Sequence, residues 1–283
     1  MNGEAGLAPR YAGALRRGES AEFRSLWRGE LHFWSQYKMD IGIIGWIAGI
    51  CAAFLVGFSK TGVPSLGILT VPMLAMVFPG KLSVGVLLPM LIVGDIVAVV
   101  RYHHDTRWSK LWKLFPFVIV GMIPGRMFLA WIDDHQFKLA LGCLVLVLIA
   151  FELLRRRYQW ENIPRQLWFV GTMGVLAGFA TTIGNVAGPI MSVYLLSMGL
   201  YKMAFIATGA WYYFAVNLIK VPIFWNLDII TPDSLLFDVV VVPAILAGAF
   251  LGLKALPIIP QRIFETLVFV LAAASAVVLI CSV

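Results

Sequence analysis

Gly57-Phe58-Ser59-Lys60-Thr61-Gly62-Val63-Pro64-Ser65-Leu66-Gly67 returns 121 residues later as Gly178-Phe179-Ala180-Thr181-Thr182-Ile183-Gly184-Asn185-Val186-Ala187-Gly188. At the same shift Leu74 falls on Leu195 and Lys81 on Lys202, while Met76 falls on Ser197, so the register outlasts the identity. Further on, Gly121-Met122-Ile123-Pro124-Gly125 faces Ala244-Ile245-Leu246-Ala247-Gly248 at a shift of 123. A glycine-rich break, a short apolar segment and a lysine in one register predict an internal duplication.

The chain around these breaks is a run of apolar segments. It is 60% hydrophobic and 13% charged over 283 residues, with a mean hydropathy of +0.88. A soluble domain is about 25% charged, so soluble enzymes, disordered tails and disulfide scaffolds are excluded. Long segments run at about 41–58, 82–100, 114–132, 136–153, 166–182, 203–219, 235–253 and 262–282. All eight are long enough to cross a bilayer. Two shorter ones, 68–79 and 186–199, each follow a break. The expectation is an all-α polytopic membrane protein of two homologous repeats with broken helices and eight to ten membrane segments.

Residues 1–38 form an extension carrying six of the 22 basic residues. Within it Phe23, Leu26, Trp27, Leu31 and Trp34 are spaced as on an amphipathic surface helix. Translation beginning at Met39 is the competing reading of this stretch. Repeat 1 then spans 39–153, a basic linker 154–165, and repeat 2 166–283. The net charge of +7 comes from basic clusters between apolar runs: Arg101, Arg107, Lys110 and Lys113 in one loop, Arg155, Arg156, Arg157 and Arg165 in another. That is the positive-inside pattern of a membrane protein, with Asp133 and Asp134 on the far side, and no nucleic-acid partner is expected.

Backbone groups released from a helix within hydrocarbon cost several kcal/mol each unless protein or water satisfies them. Two matching breaks therefore predict a protein-lined cavity, with helices restarting near Gly67 and Gly188 directing N–H groups and a positive dipole end toward an anion. The competing role for the glycines is close helix packing, which suits Gly45/Gly49, Gly121/Gly125, Gly174/Gly178 and Gly248/Gly252. Pro64 and Pro189, in or beside the breaks, favour the cavity.

Lys60 is the foremost binding candidate, since a buried ammonium is costly unless paired, and Thr61, Gly62 and Gly67 accompany it. Thr181, Thr182, Gly184, Asn185 and Gly188 hold the equivalent places. Asp95, a lone carboxylate in an apolar segment, is either a proton carrier or the ion-pair partner of Lys60 or Arg126. Arg126 is a second candidate cation. Trp211-Tyr212-Tyr213 with Asn217 offers aromatic walls and an amide. Cys51, Cys143 and Cys281 lie unpaired in apolar runs, and His103 and His104 are adjacent rather than three or four apart, so no metal site and no cofactor are expected.

The run Gly57 to Gly67, then Leu74 through Pro79-Gly80-Lys81, Leu87-Leu88-Pro89 and Gly94-Asp95, resembles the sulfite exporter TauE/SafE family. The second break and Gly248 match its duplicated arrangement, and the likeness covers about 39–282. The resemblance implies transport of small sulfur-containing anions, such as sulfite or organosulfur compounds, across the bacterial inner membrane. The expected function is thus a secondary transporter, an exporter, of small sulfur-containing or organic anions, with the lipid bilayer as its medium. Protons are the candidate coupling ion, and a homo-oligomer stays open. A passive anion channel, or a membrane subunit of a larger complex, is the alternative. No G-x-x-x-x-G-K-[ST] loop occurs, and no intramembrane pair of carboxylates or nucleophile–base motif supports an enzyme.

Overall fold

In a computed structural model of the protein, the residues described are 42–62, 66–75, 77–78, 80–157, 166–200 and 202–255, with Val277. The expected surface helix in 1–38, the last expected segment at 262–282 and most of the basic linker lie outside them. Every described regular element is helical. In chain order they are α1 (Gly42–Thr61), α2 (Gly67–Ala75), α3 (Leu82–Tyr102), a 3₁₀ turn at His103–Asp105, α4 (Trp108–Trp131) and α5 (Asp134–Arg157). Then follow α6 (Leu167–Gly184), α7 (Gly188–Ser197), α8 (Lys202–Trp225) and α9 (Pro232–Ala255).

Six of these, α1, α3, α4, α6, α8 and α9, are long and apolar enough to cross a membrane. Eight long segments are expected from the sequence, and two of them are not among these six. One of the two coincides with α5, of 24 residues, in which the run 137–154 is apolar apart from Lys138 and Glu152. It runs on through Arg157, past the expected repeat boundary at 153. The other lies outside the described residues.

Large apolar side chains point outward: Ile44 is 82% exposed and Val239 68%, while Thr70, Ser83, Thr208, Asp95 and Lys220 are fully buried. This inversion of the usual soluble pattern suits a hydrocarbon surround, since lipid tails solvate isoleucine as well as a core does.

Small residues then decide which helices meet. The two most extensive pairings are α1 with α9 and α4 with α6. A Cβ on Gly57 would run into the backbone of Ile245 and Ala249, and one on Gly178 into Val118 and Met122. Gly248 abuts the backbone of Phe54, and Gly121 that of Val175; Gly252 abuts Thr61 and Phe58, and Gly125 Thr182 and Phe179. These pairs map onto one another when α1 is moved onto α6 by 121 residues and α4 onto α9 by 127. The sequence match at 123 is therefore corrected by four residues, one helical turn. Small residues recur every four positions at Ala244, Gly248 and Gly252, so a slip of one turn leaves the identities nearly as good.

Both pairings are parallel, because contacts advance in the same sense along each pair. Phe78, just before α3, stacks edge-on against Phe237 near the start of α9, and that ring reaches Trp46 near the start of α1. Lys81 at the start of α3 bonds to Asp134 and to Leu129 O at the end of α4. So α1, α3, α5 and α9 begin on one face, and α4 and α6 on the other. The two helices that end at breaks enter from opposite faces.

Valine at Gly57 or Gly178 should force these backbones apart. Each substitution should cost about 3 kcal/mol or more, the upper range for overpacking, seen as a collapse of the thermal transition in detergent. Gly209→Ala, where the nearest contact is an ordinary 3.5 Å to Leu195, should leave the transition nearly unmoved.

Candidate functional site

Each broken helix stops for a local reason. At the end of α6, Asn185 takes the left-handed conformation, with φ of 56°, and its N–H returns to Thr181 O at 3.0 Å while Val186 N–H bonds to Ala180 O. This is the capping geometry that glycine or asparagine permits. At the end of α1 the chain carries Lys60 in the last turn, and Gly62 N–H bonds to Phe58 O. The short helices α2 and α7, of 9 and 10 residues, restart at Gly67 and Gly188. At 1.5 Å per residue each covers about half the hydrocarbon thickness.

Both breaks line one cavity, which offers about 60 Å³ to the centres of water-sized molecules. Its wall includes Ser59, Lys60 and Gly67 from the first break and Thr181, Asn185, Val186 and Gly188 from the second. The helix α8 closes it with Gly209, Ala210, Tyr213 and Asn217.

Lys60 reaches the wall with its charge already partnered. Its ammonium lies 2.7 Å from Asp95 Oδ1, with side-chain exposures of 12% and 0%. The other carboxylate oxygen accepts from Asn217 Nδ2 at 2.6 Å. The ammonium also sits 4.4 Å from the centre of the Tyr213 ring, a distance at which the ring's negative face attracts a cation. Thus α1, α3 and α8 are tied together at one charged point.

A second lysine stands behind the other break. Lys220 on α8 is fully buried, and its ammonium donates to Thr181 O at 3.2 Å, to Thr181 Oγ1 at 3.1 Å and to Asn185 Oδ1. Its partners are neutral: a carbonyl and a hydroxyl in the last turn of α6, where the helix dipole is negative, and one amide. Lys220 is within electrostatic reach of Lys60 and Asp95.

The sequence candidates divide accordingly. Lys60, Gly67, Thr181, Asn185 and Gly188 share the cavity wall, with Asp95 directly behind Lys60. Thr61 turns away, its hydroxyl donating to Ala249 O at 2.7 Å, and its own carbonyl accepts from Tyr102. Thr182 bonds to Gly178 O and packs against Gly125, and Gly62 packs on Gly252. Gly184 is the last residue of α6 and is not part of the lining. Arg126, the other candidate cation, is exposed on α4 and is not part of the lining either. Lys220, also outside the lining but bonded to two of its residues, Thr181 and Asn185, lies one residue beyond the apolar segment ending at 219, where it reads as a flank. The signal that finds it is Pro222-Ile223-Phe224, apolar sequence continuing past the lysine. Of the aromatic triplet, Tyr213 faces the cavity, while Trp211 packs on Trp108 and Tyr212 on Phe115.

The family model described as Sulfite exporter TauE/SafE matches residues 47–279, and the chain belongs to that family. Among curated proteins and among solved structures, none matches the chain.

Removing one member of a buried ion pair leaves the other uncompensated, at about 3–5 kcal/mol. Lys60→Met should destabilise the detergent-solubilised protein by that order, and Lys60→Met combined with Asp95→Leu should recover most of it. A double-mutant cycle on unfolding free energies measures this; additive losses would mean that the pair does not hold α1 to α3.

Proposed function

From this membership we propose that the protein is a secondary transporter of small sulfur-containing or organic anions. Sulfite and sulfonates are the foremost cargo, the cavity between the two breaks is the binding site, and export is the direction. One observation carries the reading. Two lysines, Lys60 and Lys220, stand near one buried carboxylate, Asp95, so with both lysines protonated the described surroundings of the cavity would hold one positive charge in excess. Excess charge in a low-dielectric setting is costly, and a bound anion removes that cost.

Size and geometry agree with a small oxyanion. A water needs roughly 10–15 Å³ by the same measure, so 60 Å³ suits a few waters or one compact anion. The restarting ends of α2 and α7 at Gly67 and Gly188 direct backbone donors and dipoles toward it, while Thr181 and Asn185 add hydrogen-bonding groups. Asp95, Asn217 and Tyr213 hold the Lys60 ammonium in place before an anion arrives, which limits the ordering cost of binding.

Movement follows from the packing. We read the paired shifts of 121 and 127, with α1 and α6 entering from opposite faces, as two homologous repeats of inverted topology. In such carriers one repeat rocks against the other around a central site. The face where α3 and α5 end carries Arg101, Arg107 and Arg155 to Arg157 and is the cytoplasmic one by the positive-inside rule. In a bacterium the membrane would be the inner one.

Sulfite at about 100 times its dissociation constant should raise unfolding stability by roughly 2.7 kcal/mol. In the Lys60→Met, Asp95→Asn double variant, which removes both members of the pair together, sulfite affinity should fall about ten- to a hundredfold. That is the loss of one charge-assisted hydrogen bond. Unchanged affinity in a folded variant would remove Lys60 from the site. In proteoliposomes, labelled sulfite should show counterflow against unlabelled sulfite; a passive channel gives none.

A further inference from the structure

Asp238 on α9 is a carboxylic acid that the anion site does not use. It is 5% exposed, and both of its oxygens are buried without a hydrogen-bond partner. It lies on the inward stripe of α9 with Ser234, Val241 and Ile245. Its chain neighbour Phe237 packs over Gly49 of α1. It is about 9 Å into the helix from Pro232, and about two turns short of the contact between Ile245 and Gly57.

The helices packed most closely on α9 are α1 and α3. Their ionisable groups are Cys51, Lys60, Asp95, Arg101 and Tyr102. Lys60 and Asp95 hold each other, Tyr102 donates to Thr61 O, and Cys51 and Arg101 are exposed. On α9 itself Asp233 lies in the first turn and Lys254 in the last, over the Phe250 ring. Among the described residues none of these pairs with Asp238. An ionised carboxylate in that setting would pay its full desolvation cost with no return. Asp95 is in the opposite situation, with an ammonium and an amide both stabilising its charge.

We propose that Asp238 is a proton-binding site, loaded in the arrangement seen here and emptied when α9 parts from α1 and α3 on the face where all three begin. Resting on the transporter reading, this makes the proton the coupling ion and gives it a seat separate from the anion. Water entering from that face would solvate the carboxylate and take the proton. Closure would again require neutralisation, so access on that side and proton occupancy are linked.

The chemical test uses dicyclohexylcarbodiimide on the purified, folded protein. The O–H of a protonated carboxyl adds across one C=N bond of the reagent, and the acyl group then migrates to nitrogen, so the product keeps every atom of both. Peptide mass mapping should find the adduct on Asp238, more slowly formed as pH rises. It should be lost in Asp238→Asn, kept in Asp238→Glu and kept in Asp95→Asn. In proteoliposomes, Asp238→Asn should lose sulfite movement driven by a pH gradient while keeping the sulfite-induced thermal shift and counterflow. Folded wild-type protein labelled elsewhere but not at Asp238, or an Asp238→Asn variant still driven by the gradient, overturns the proposal. Loss of the thermal shift in the wild type would instead overturn the anion reading and leave the labelling result to decide Asp238.

Discussion

An ammonium enclosed by apolar helices has to find acceptors inside the protein, and the rest of this site depends on Lys60 finding a carboxylate. Its carboxylate comes from α3 and the amide behind that carboxylate from α8. Three helices are therefore fixed at one depth, and that depth is where α1 ends. Without Asp95 the last turn of α1 would have to surface or lose its charge, and the first break would not face the second. The pairing also sets the ammonium against Tyr213 at 4.4 Å, which leaves it at the wall rather than in the open space.

Charge pairing fixes position, but it does not bring helices together. Lipid offers no hydrophobic drive between them, so close backbone approach has to supply the attraction. The glycines at 57, 248 and 252 do this between α1 and α9, and those at 178, 121 and 125 do it between α4 and α6. Each seam ends near a break: Thr61 bonds across to Ala249 O, and Thr182 packs on Gly125. Because the two seams run from opposite faces with matching contacts, the helix ends they deliver arrive at the same level. The cavity is the space between those ends.

Much of this is legible in the sequence, and the failures have geometric causes. Breaks are visible because glycine and proline interrupt long apolar runs twice in one register. Asp95 is visible because a lone carboxylate stands out among valines and isoleucines. Thr61 and Thr182 mislead because they adjoin cavity residues; along a helix the next side chain is rotated by about 100°, so a neighbour of Lys60 looks at another helix. Arg126 misleads in the same way: Gly125 meets α6, which turns the next residue outward. Lys220 is hidden because its role depends on where α8 passes α6, and no local pattern encodes that crossing.

The two halves differ most where they are equivalent. Thr181 stands at the place of Lys60, and read along the chain the second break has no cation. In space it has one, because Lys220 brings its ammonium to the carbonyl and hydroxyl of Thr181. Both broken helices therefore end beneath a lysine, one from its own last turn and one from a neighbour. The counter-charges are unequal: Lys60 has a carboxylate at 2.7 Å, whereas Lys220 has only neutral acceptors. The lysine on the wall is thus the one with a counter-charge, and the lysine without one sits behind Thr181 and Asn185. On the proposed reading, an anion between the breaks would meet a held ammonium on one side and, on the other, groups bonded to a lysine it need not touch. A site divided in this way would attract an anion without trapping it, because no single contact would carry the whole attraction.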